Sequence, residues 1–171
     1  MPKWLPILLF SATIFAQPSA VDKPMRSIEQ AASATFRVAG YPDFLEFAFG
    51  SLWISNEGVN AVQRMDGKSG RMIAEVPVNQ PCGAMGAGYN SLWVASCKEG
   101  ELLRIDARSN QVTARLPLKV ADAETSIAAG AGGVWVLTDD KGVLSRVDPQ
   151  TNQVVAQITV APHSYAAMAG F

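Results

Sequence analysis

Short runs of alternating hydrophobic and polar residues fill most of the chain after Gly40. Examples are residues 91–95 (SLWVA) and residues 143–147 (VLSRV), which are rich in β-branched and large apolar side chains. No segment after Gly40 carries an apolar stripe at the helical period of about 3.6 residues. The pattern predicts short strands joined by tight turns, and hence an all-β structure.

One sequence pattern recurs three times along the chain. The tryptophans Trp53, Trp93 and Trp135 lie 40 and then 42 residues apart. The same two intervals separate three arginines (Arg64, Arg104, Arg146) and three aspartates (Asp66, Asp106, Asp148). Because three residue types keep one pair of spacings, the chain contains a structural repeat of about 40 residues.

Each repeat has room for four short strands, named A to D below. In the third repeat we place them at residues 126–129, 134–138, 143–148 and 154–160. The turn between C and D begins with the recurring aspartate, whose carboxylate can accept from N–H groups ahead of it. It ends at Gly70, Asn110 or Asn152, where a positive φ is expected. Four antiparallel strands per repeat predict the blade of a β-propeller.

The repeat also predicts how the chain is organised. Residues 41–79, 81–120 and 123–160 are expected to form three complete blades, and residues 162–171 to begin another. Residues 34–38 align with a strand D, so we expect them to complete the closing blade of a ring, after a linker at residues 21–33. Three blades cannot close a ring that takes at least about four. The chain is therefore predicted to be a truncated propeller, with assembly of several copies as an alternative.

The recurring aromatic and basic residues have two interpretations each. Trp53, Trp93 and Trp135 are expected to fill the space between adjacent blades, because aromatic rings bury large areas at such interfaces. The alternative is a tryptophan that stacks on a ligand. The recurring arginines are expected to pair across the same interfaces, and a basic binding patch is the alternative.

The two cysteines predict a disulfide bond. If strands A and B of the second repeat turn at Tyr89 and Asn90, Cys82 and Cys97 are directly opposite each other. Opposed residues of an antiparallel pair are close enough for a disulfide. The alternative is a free Cys82 thiol that acts as a ligand or nucleophile.

Candidate functional residues lie in the loops that lead into strand A. The equivalent positions hold Asp43, Cys82, Glu124 and His163. Polar groups that converge at a channel mouth are what a ligand site needs, so we predict these four as ligand-binding residues and His163 and Glu124 as candidate catalytic residues. The alternative is that polar loop residues only face water. Their spacing matches no metal site, and we predict neither metal nor cofactor.

Three segments resemble a known kind of repeat. Residues 50–55 (GSLWIS), 104–112 (RIDARSNQV) and 146–154 (RVDPQTNQV) are similar to the YVTN-type propeller repeats of bacterial secreted proteins and, more distantly, to those of virginiamycin B lyase. The resemblance implies an extracytoplasmic, often seven-bladed protein that is about twice as long as this chain. For the function, we predict a rigid scaffold that binds a small molecule or a protein at the loop face of the propeller. The alternative is a carbon–oxygen lyase with its site at the channel mouth.

Composition narrows the function further. The 171 residues include 14 Lys and Arg against 15 Asp and Glu, a net charge of −1, so no basic excess is available for nucleic acid. With 49% hydrophobic and 17% charged residues, the chain is expected to fold. At full length we expect a monomer.

The N-terminus is predicted to be an export signal. Lys3 precedes an uncharged stretch at residues 5–16, which is shorter than the roughly 20 residues of a membrane span. Residues 1–20 are therefore predicted to be a signal peptide that is cleaved near residues 16–20, with an uncleaved anchor as the alternative. This predicts a periplasmic or secreted protein, in which thiols tend to pair.

Overall fold

The computed structural model describes residues 25–169 and divides the chain into two units, residues 1–35 and 36–171. The described part of the first unit holds one short helix, α1 (Ile28–Ala31), which Ser27 caps. The predicted signal peptide at residues 1–20 lies outside the described residues, as do residues 21–24 of the predicted linker and residues 170–171. From residue 25 to residue 169, no helix is long and apolar enough to cross a membrane.

The second unit contains three antiparallel sheets of four strands, each a meander in chain order. Blade 1 consists of β1 (Pro42–Ala48), β2 (Ser51–Asn56), β3 (Ala61–Met65) and β4 (Met72–Pro77). Blade 2 consists of β5 (Pro81–Gly88), β6 (Ser91–Ser96), β7 (Glu101–Asp106) and β8 (Gln111–Leu116). Blade 3 consists of β9 (Ile127–Gly130), β10 (Gly133–Asp139), β11 (Val143–Asp148) and β12 (Gln153–Thr159). The predicted all-β architecture of about three blades is confirmed.

The blades meet through their first strands. β1 lies against β5, and β5 lies against β9, where Ala84 and Ser126 form a parallel bridge. The first strand of each blade is thus the inner one, as in a radial array.

The core lies between neighbouring blades, around the recurring tryptophans. Trp53 is fully buried in one cluster with Leu92 and Leu103 of blade 2. Trp93 is fully buried in a second cluster with Val134 and Val136 of blade 3. Trp53 and Trp93 therefore fill interblade space as expected, whereas Trp135 is only partly buried.

Two of the three recurring arginines, Arg64 and Arg104, lie across the strand pair from Trp53 and Trp93 and connect the blades. Arg64 stands opposite Trp53, with its guanidinium carbon 4.7 Å from the ring centroid. Its Nη1 donates to the carbonyl of Ala107 (2.6 Å) and to Oδ1 of Asn110 (2.9 Å), both in blade 2. Arg104 makes the equivalent bonds to blade 3. The arginines thus bridge interfaces as expected, but their partners are neutral oxygens and not acids.

The turns between the third and fourth strands have the predicted geometry. Oδ1 of Asp106 accepts from the N–H groups of Arg108 (3.1 Å) and Ser109 (2.7 Å), and Asn110 has a φ of 57°. Oδ1 of Asp66 accepts equivalent bonds from the next turn residues of blade 1. These hydrogen bonds stabilise the ionised carboxylates and lower the pKa of both aspartates.

The strand predicted at residues 34–38 does not form. A strand needs a neighbour with which to exchange backbone hydrogen bonds, and no described strand pairs with this segment. Phe36 and Val38 instead line a cavity of about 350 Å³ on blade 1, together with Leu52 and Ile54. The role of this segment in closing a ring stays a prediction.

Residues 162–169 also form no strand, but they lie alongside the inner strand of blade 3. The N–H of Ala167 donates to Oγ of Ser126 (2.8 Å), which donates back to the carbonyl of Ala167 (3.0 Å). The segment thus runs beside β9, and the further blade that it was expected to begin stays a prediction.

Candidate functional site

The loops at one end of the sheets form a single surface, which we call the variable face. It comprises residues 57–60, 78–80, 97–100, 117–126, 140–142 and 160–166, together with Asp139 at the end of β10. Backbone hydrogen bonds connect neighbouring loops: Val78 donates to Asn60 (2.9 Å), and Val160 donates to Gly142 (2.9 Å). The connection into β5 has three residues, whereas the connection into β9 has ten, so these loops differ in length as well as in sequence.

The opposite end of the sheets, which we call the turn face, is occupied by structural contacts. Its turns at residues 66–70, 106–110 and 148–152 each begin with an aspartate and end with a residue in the left-handed conformation, which is Gly70, Asn110 or Asn152. Asn110 and Asn152 of these turns accept the interblade hydrogen bonds of the arginines. Recurrence there has a structural cause, and the variable face shows no comparable recurrence.

The disulfide between Cys82 and Cys97 forms as predicted, with the Cα atoms 5.8 Å apart. The reason given for it was wrong. Cys82 stands opposite Ala95, because a bulge between Cys82 and Gly86 shifts the register of the strand pair. Gly83 occupies this bulge with a φ of 70°, and a Cβ there would clash with the carbonyl of Thr125. Since its sulfur is bonded, Cys82 offers no free thiol to a ligand.

Glu124 and His163 both lie on the variable face, but they contact different residues. Glu124 is exposed and accepts a hydrogen bond from the hydroxyl of Tyr165 (2.7 Å). This bond, followed by burial and the nearby negative charges, raises the pKa of Tyr165. His163 is exposed with a φ of 58°, and its backbone N–H donates to the carbonyl of Asp140 (2.9 Å). Within residues 25–169 no hydrogen bond joins His163 to Glu124.

Asp43 lies apart from these two residues. It is an exposed residue of β1 that lines the 350 Å³ cavity of blade 1 beside Leu45 and Ile54. The structure therefore does not bring Asp43, Cys82, Glu124 and His163 into one hydrogen-bonded cluster. In the described part of the chain, no group of three or more His, Cys, Asp or Glu side chains could hold a metal ion.

The variable face is acidic. Its loops carry Glu57, Glu99, Asp122, Glu124, Asp139 and Asp140, six acids, against the three bases Lys98, Lys119 and Lys141. Hydrogen bonds fix part of this surface, because Gln80 donates to Glu57 (3.1 Å) and Asn79 donates to Glu99 (2.6 Å). The face thus presents an excess of negative charge on loops that are tied to one another.

Sequence reasoning missed three residues near these candidates. Tyr165 and Asp140 were not singled out, because their partners are a distant side chain and a backbone group. Glu46, in β1, was also missed; it lines a cavity of about 420 Å³ between the inner strands. The detectable signal was that Glu46 departs from the repeat, since Gly86 and Ala128 occupy the equivalent positions.

Neither the protein-family models nor the curated proteins give a match to this chain. Several solved structures do match this chain. Hydrazine synthase from Kuenenia stuttgartiensis is 19% identical with a TM-score of 0.62, and the match covers 81% of this chain and 41% of that one. A catalytically inactive histidine-to-alanine variant of virginiamycin B lyase from Staphylococcus aureus with quinupristin is 18% identical with a TM-score of 0.60, covering 75% and 45%. BamB from Moraxella catarrhalis is 11% identical with a TM-score of 0.56, covering 71% and 35%.

These similarities define the class of protein. Virginiamycin B lyase and BamB are β-propeller proteins, and the three stacked sheets of this chain have the same fold. The chain spans less than half the length of the structures that it matches. At such low identity the similarity shows the fold alone.

Proposed function

We propose that the chain is part of a propeller that acts as a rigid binding module and takes its partner on the variable face. The observation that carries this proposal is the difference between the two ends of the blades. The turn face is occupied by recurring turns and interblade hydrogen bonds, whereas the variable face has exposed loops that differ from blade to blade. Function is commonly carried by loops that a rigid scaffold positions.

The charge of the variable face indicates the chemistry of the partner. The variable face carries six acids and only three bases, so a partner surface with basic groups is complementary to it. Contacts such as Gln80 with Glu57 hold loops in place before binding, which lowers the entropic cost of association. We therefore expect the partner to be a protein segment or small molecule that carries positive charge.

An extracytoplasmic location belongs to the same proposal. The bond between Cys82 and Cys97 supports it, because disulfides persist in oxidising compartments. The YVTN-type assignment and the cleaved signal at residues 1–20 would fit such a location. N-terminal sequencing of protein from the periplasm or medium is expected to begin just after residues 16–20, and a chain that keeps Met1 would contradict the cleavage.

A charged peptide tests the proposed surface directly. Fluorescent heptalysine is expected to bind the chain and to show increased anisotropy, whereas heptaglutamate is not. Replacing three acids of the variable face by amides (Asp122→Asn, Glu124→Gln, Asp140→Asn) is expected to weaken heptalysine binding about tenfold, which corresponds to about 1.4 kcal/mol.

The matched control changes the net charge equally at other places. It replaces Asp66, Asp106 and Asp148 by asparagine; these acids lie on the turn face, at the opposite end of the sheets, and an amide oxygen there can still accept the hydrogen bonds of the turn. Binding should remain within about twofold of the original, since these charges lie apart from the proposed surface. If both triple variants lose affinity equally, the peptide senses only net charge and the proposed surface is wrong.

A lyase is the second candidate function. The observation that favours it is that Glu124, hydrogen-bonded to Tyr165, shares the variable face with His163, and that the fold matches virginiamycin B lyase. An elimination that breaks a carbon–oxygen bond adds no water, so incubation with quinupristin would give a product of unchanged mass and altered chromatographic retention. His163→Ala and Glu124→Gln would each abolish this conversion. If quinupristin stays intact with the unaltered protein, a lyase acting on this substrate is excluded.

A further inference from the structure

The cavity between the inner strands holds one acidic side chain. It has a volume of about 420 Å³ and lies among β1, β5, β9 and residues 167–169. We propose that the Glu46 carboxylate anchors the ammonium group of a small organic cation in this cavity. The inference does not depend on the variable face, because strands and residues 167–169 line the cavity, and Ser126 is the one lining residue that belongs to that face.

The repeat shows that this carboxylate has no structural counterpart. Glu46 pairs with Trp53, and the equivalent partners of Trp93 and Trp135 are Gly86 and Ala128. Between blades 2 and 3 the inner strands approach so closely that a Cβ on Gly86 would lie 2.6 Å from the carbonyl of Ile127. The fold thus favours small residues at this position, and an acid there departs from what packing requires.

The carboxylate of Glu46 has no partner of its own in the described part of the chain. Among residues 25–169 no hydrogen bond or ion pair reaches it, although the side chain is partly buried. Burial raises the pKa of Glu46, because removal from water disfavours the charged form. A cation bound beside it would offset this cost by supplying charge and hydrogen bonds.

The remaining wall of the cavity selects the kind of cation. Apart from Glu46 and Ser126 its side chains are apolar and mostly small, with alanines on β5, on β9 and in residues 167–169, and Met85 and Met168 at its sides. Such a wall suits a compact apolar body. A metal ion does not fit the donor set, because calcium takes about 6–8 oxygen ligands and no group of three acidic, histidine or cysteine side chains occurs in the described residues. The volume lies at the lower end of the range of about 300–1,000 Å³ for ligand sites.

The experiment compares three probes that share one ring. Benzylamine is expected to bind, whereas benzyl alcohol and benzoate, which lack the positive charge, are expected to bind at least about fivefold more weakly. Calorimetry gives the affinities. Carbon-13 methyl NMR of the unaltered protein shows the place, since benzylamine should shift the signals of Ala84, Ala128 and Met168. This measurement needs no variant.

Variants then test the role of the carboxylate. Glu46→Gln is expected to weaken benzylamine binding about fivefold and to leave benzyl alcohol binding unchanged. Glu29→Gln makes the same change of net charge in α1 and should have no effect. Glu124→Gln addresses the variable face and should also have no effect, so failure of either proposal can be told from failure of the other. Equal binding of amine and alcohol, or shifts confined to other methyl groups, would overturn the inference.

Discussion

The recurring arginine is suited to its place because its guanidinium is planar and carries several donors. Nε of Arg104 donates to Oγ of Ser91 (2.8 Å), and Nη2 donates to the carbonyl of Tyr89 (3.2 Å) within the same blade. Nη1 reaches Pro149 and Asn152 in the next blade. A lysine, with one nitrogen, cannot serve partners in these separate directions.

We therefore expect Arg104→Lys to lower the free energy of unfolding by about 2 kcal/mol, because buried acceptors lose a charged donor. Urea denaturation followed by tryptophan fluorescence measures this. Arg115→Lys is the control, since Arg115 makes one exposed ion pair with Glu101 at 3.1 Å, and about 0.5 kcal/mol or less is expected. Equal effects of the two substitutions would contradict the interblade role.

The recurrence of Arg104 was visible in the sequence, but its partners were not. Two of them are backbone carbonyls, which carry no signature in a sequence. Glu46 illustrates the opposite limit. A residue that occurs once in a repeat protein gives no periodic signal, and Glu46 is visible in the sequence only because Gly86 and Ala128 occupy the equivalent positions.

At the scale of single elements, the disulfide was predicted on the assumption of a regular pairing of the first two strands of blade 2, and this assumption was wrong. The bulge in β5 moves Cys82 opposite Ala95, yet the disulfide still forms because Cys97 lies just beyond the end of β6. Only Gly83 marks the bulge in the sequence, and a single glycine does not specify a change of register. The turns were predicted correctly, because aspartate and asparagine act there through local contacts.

Removing the disulfide should destabilise blade 2. The bond joins residues 15 apart, for which the loop-entropy estimate is about 3 kcal/mol. We expect the free energy of unfolding of the double variant Cys82→Ala, Cys97→Ala, measured by urea denaturation, to be lower by roughly this amount. The unaltered protein treated with a reductant serves as the comparison and should lose a similar amount. A mass spectrum of the unreduced protein with two free thiols would contradict the bond itself.

The close approach of β5 and β9 gives a second prediction at this scale. Gly86→Ala places a Cβ 2.6 Å from the carbonyl of Ile127, and we expect a loss of about 1–3 kcal/mol in the free energy of unfolding. Gly67→Ala is the matched control, because its Cβ would lie 3.7 Å from the ring of Phe47. The melting temperature of Gly86→Ala in thermal denaturation should be well below that of Gly67→Ala. The reverse order would show that the inner strands are not in tight contact.

The turn aspartates predict how stability depends on pH. Hydrogen bonds hold the pKa of Asp66 and Asp106 below the usual range in the folded chain. The unfolded chain therefore takes up protons first, and stability falls as the pH is lowered from about 4 through the folded pKa values. Urea midpoints measured over this range should fall less steeply for Asp66→Asn than for the unaltered protein. Parallel curves would show that the turn carboxylate is not involved.

At the scale of the whole molecule, the repeat predicted the number and kind of blades but not which surfaces stay open. Leu45 and Phe47 on β1 are 62% and 72% exposed, and Phe36 lines the same cavity as Leu45. Such an apolar patch favours self-association. Whether a face is covered depends on what packs against it, which local pattern does not encode.

We expect the variant Leu45→Ser, Phe47→Ser to reduce concentration-dependent association in analytical ultracentrifugation, because it removes apolar surface without touching the interblade core. Met25→Ser, at a fully exposed position in the first unit, is the control and should change nothing. If the double variant sediments like the unaltered protein over the same concentration range, this surface does not drive association.

The interblade arginine also gives the array a direction. Arg64 and Arg104 each point from their own blade to an asparagine amide in the next. Blade 1, however, has Gly70 where blades 2 and 3 have Asn110 and Asn152, and the ring of Phe36 occupies the space that a side chain there would need. A gene duplication that inserted a copy of blade 2 after itself would leave the arginines of blade 1, of blade 2 and of the copy each with an asparagine amide to bind. A copy of blade 1 at that point would not, so the modules of this protein are interchangeable only in part.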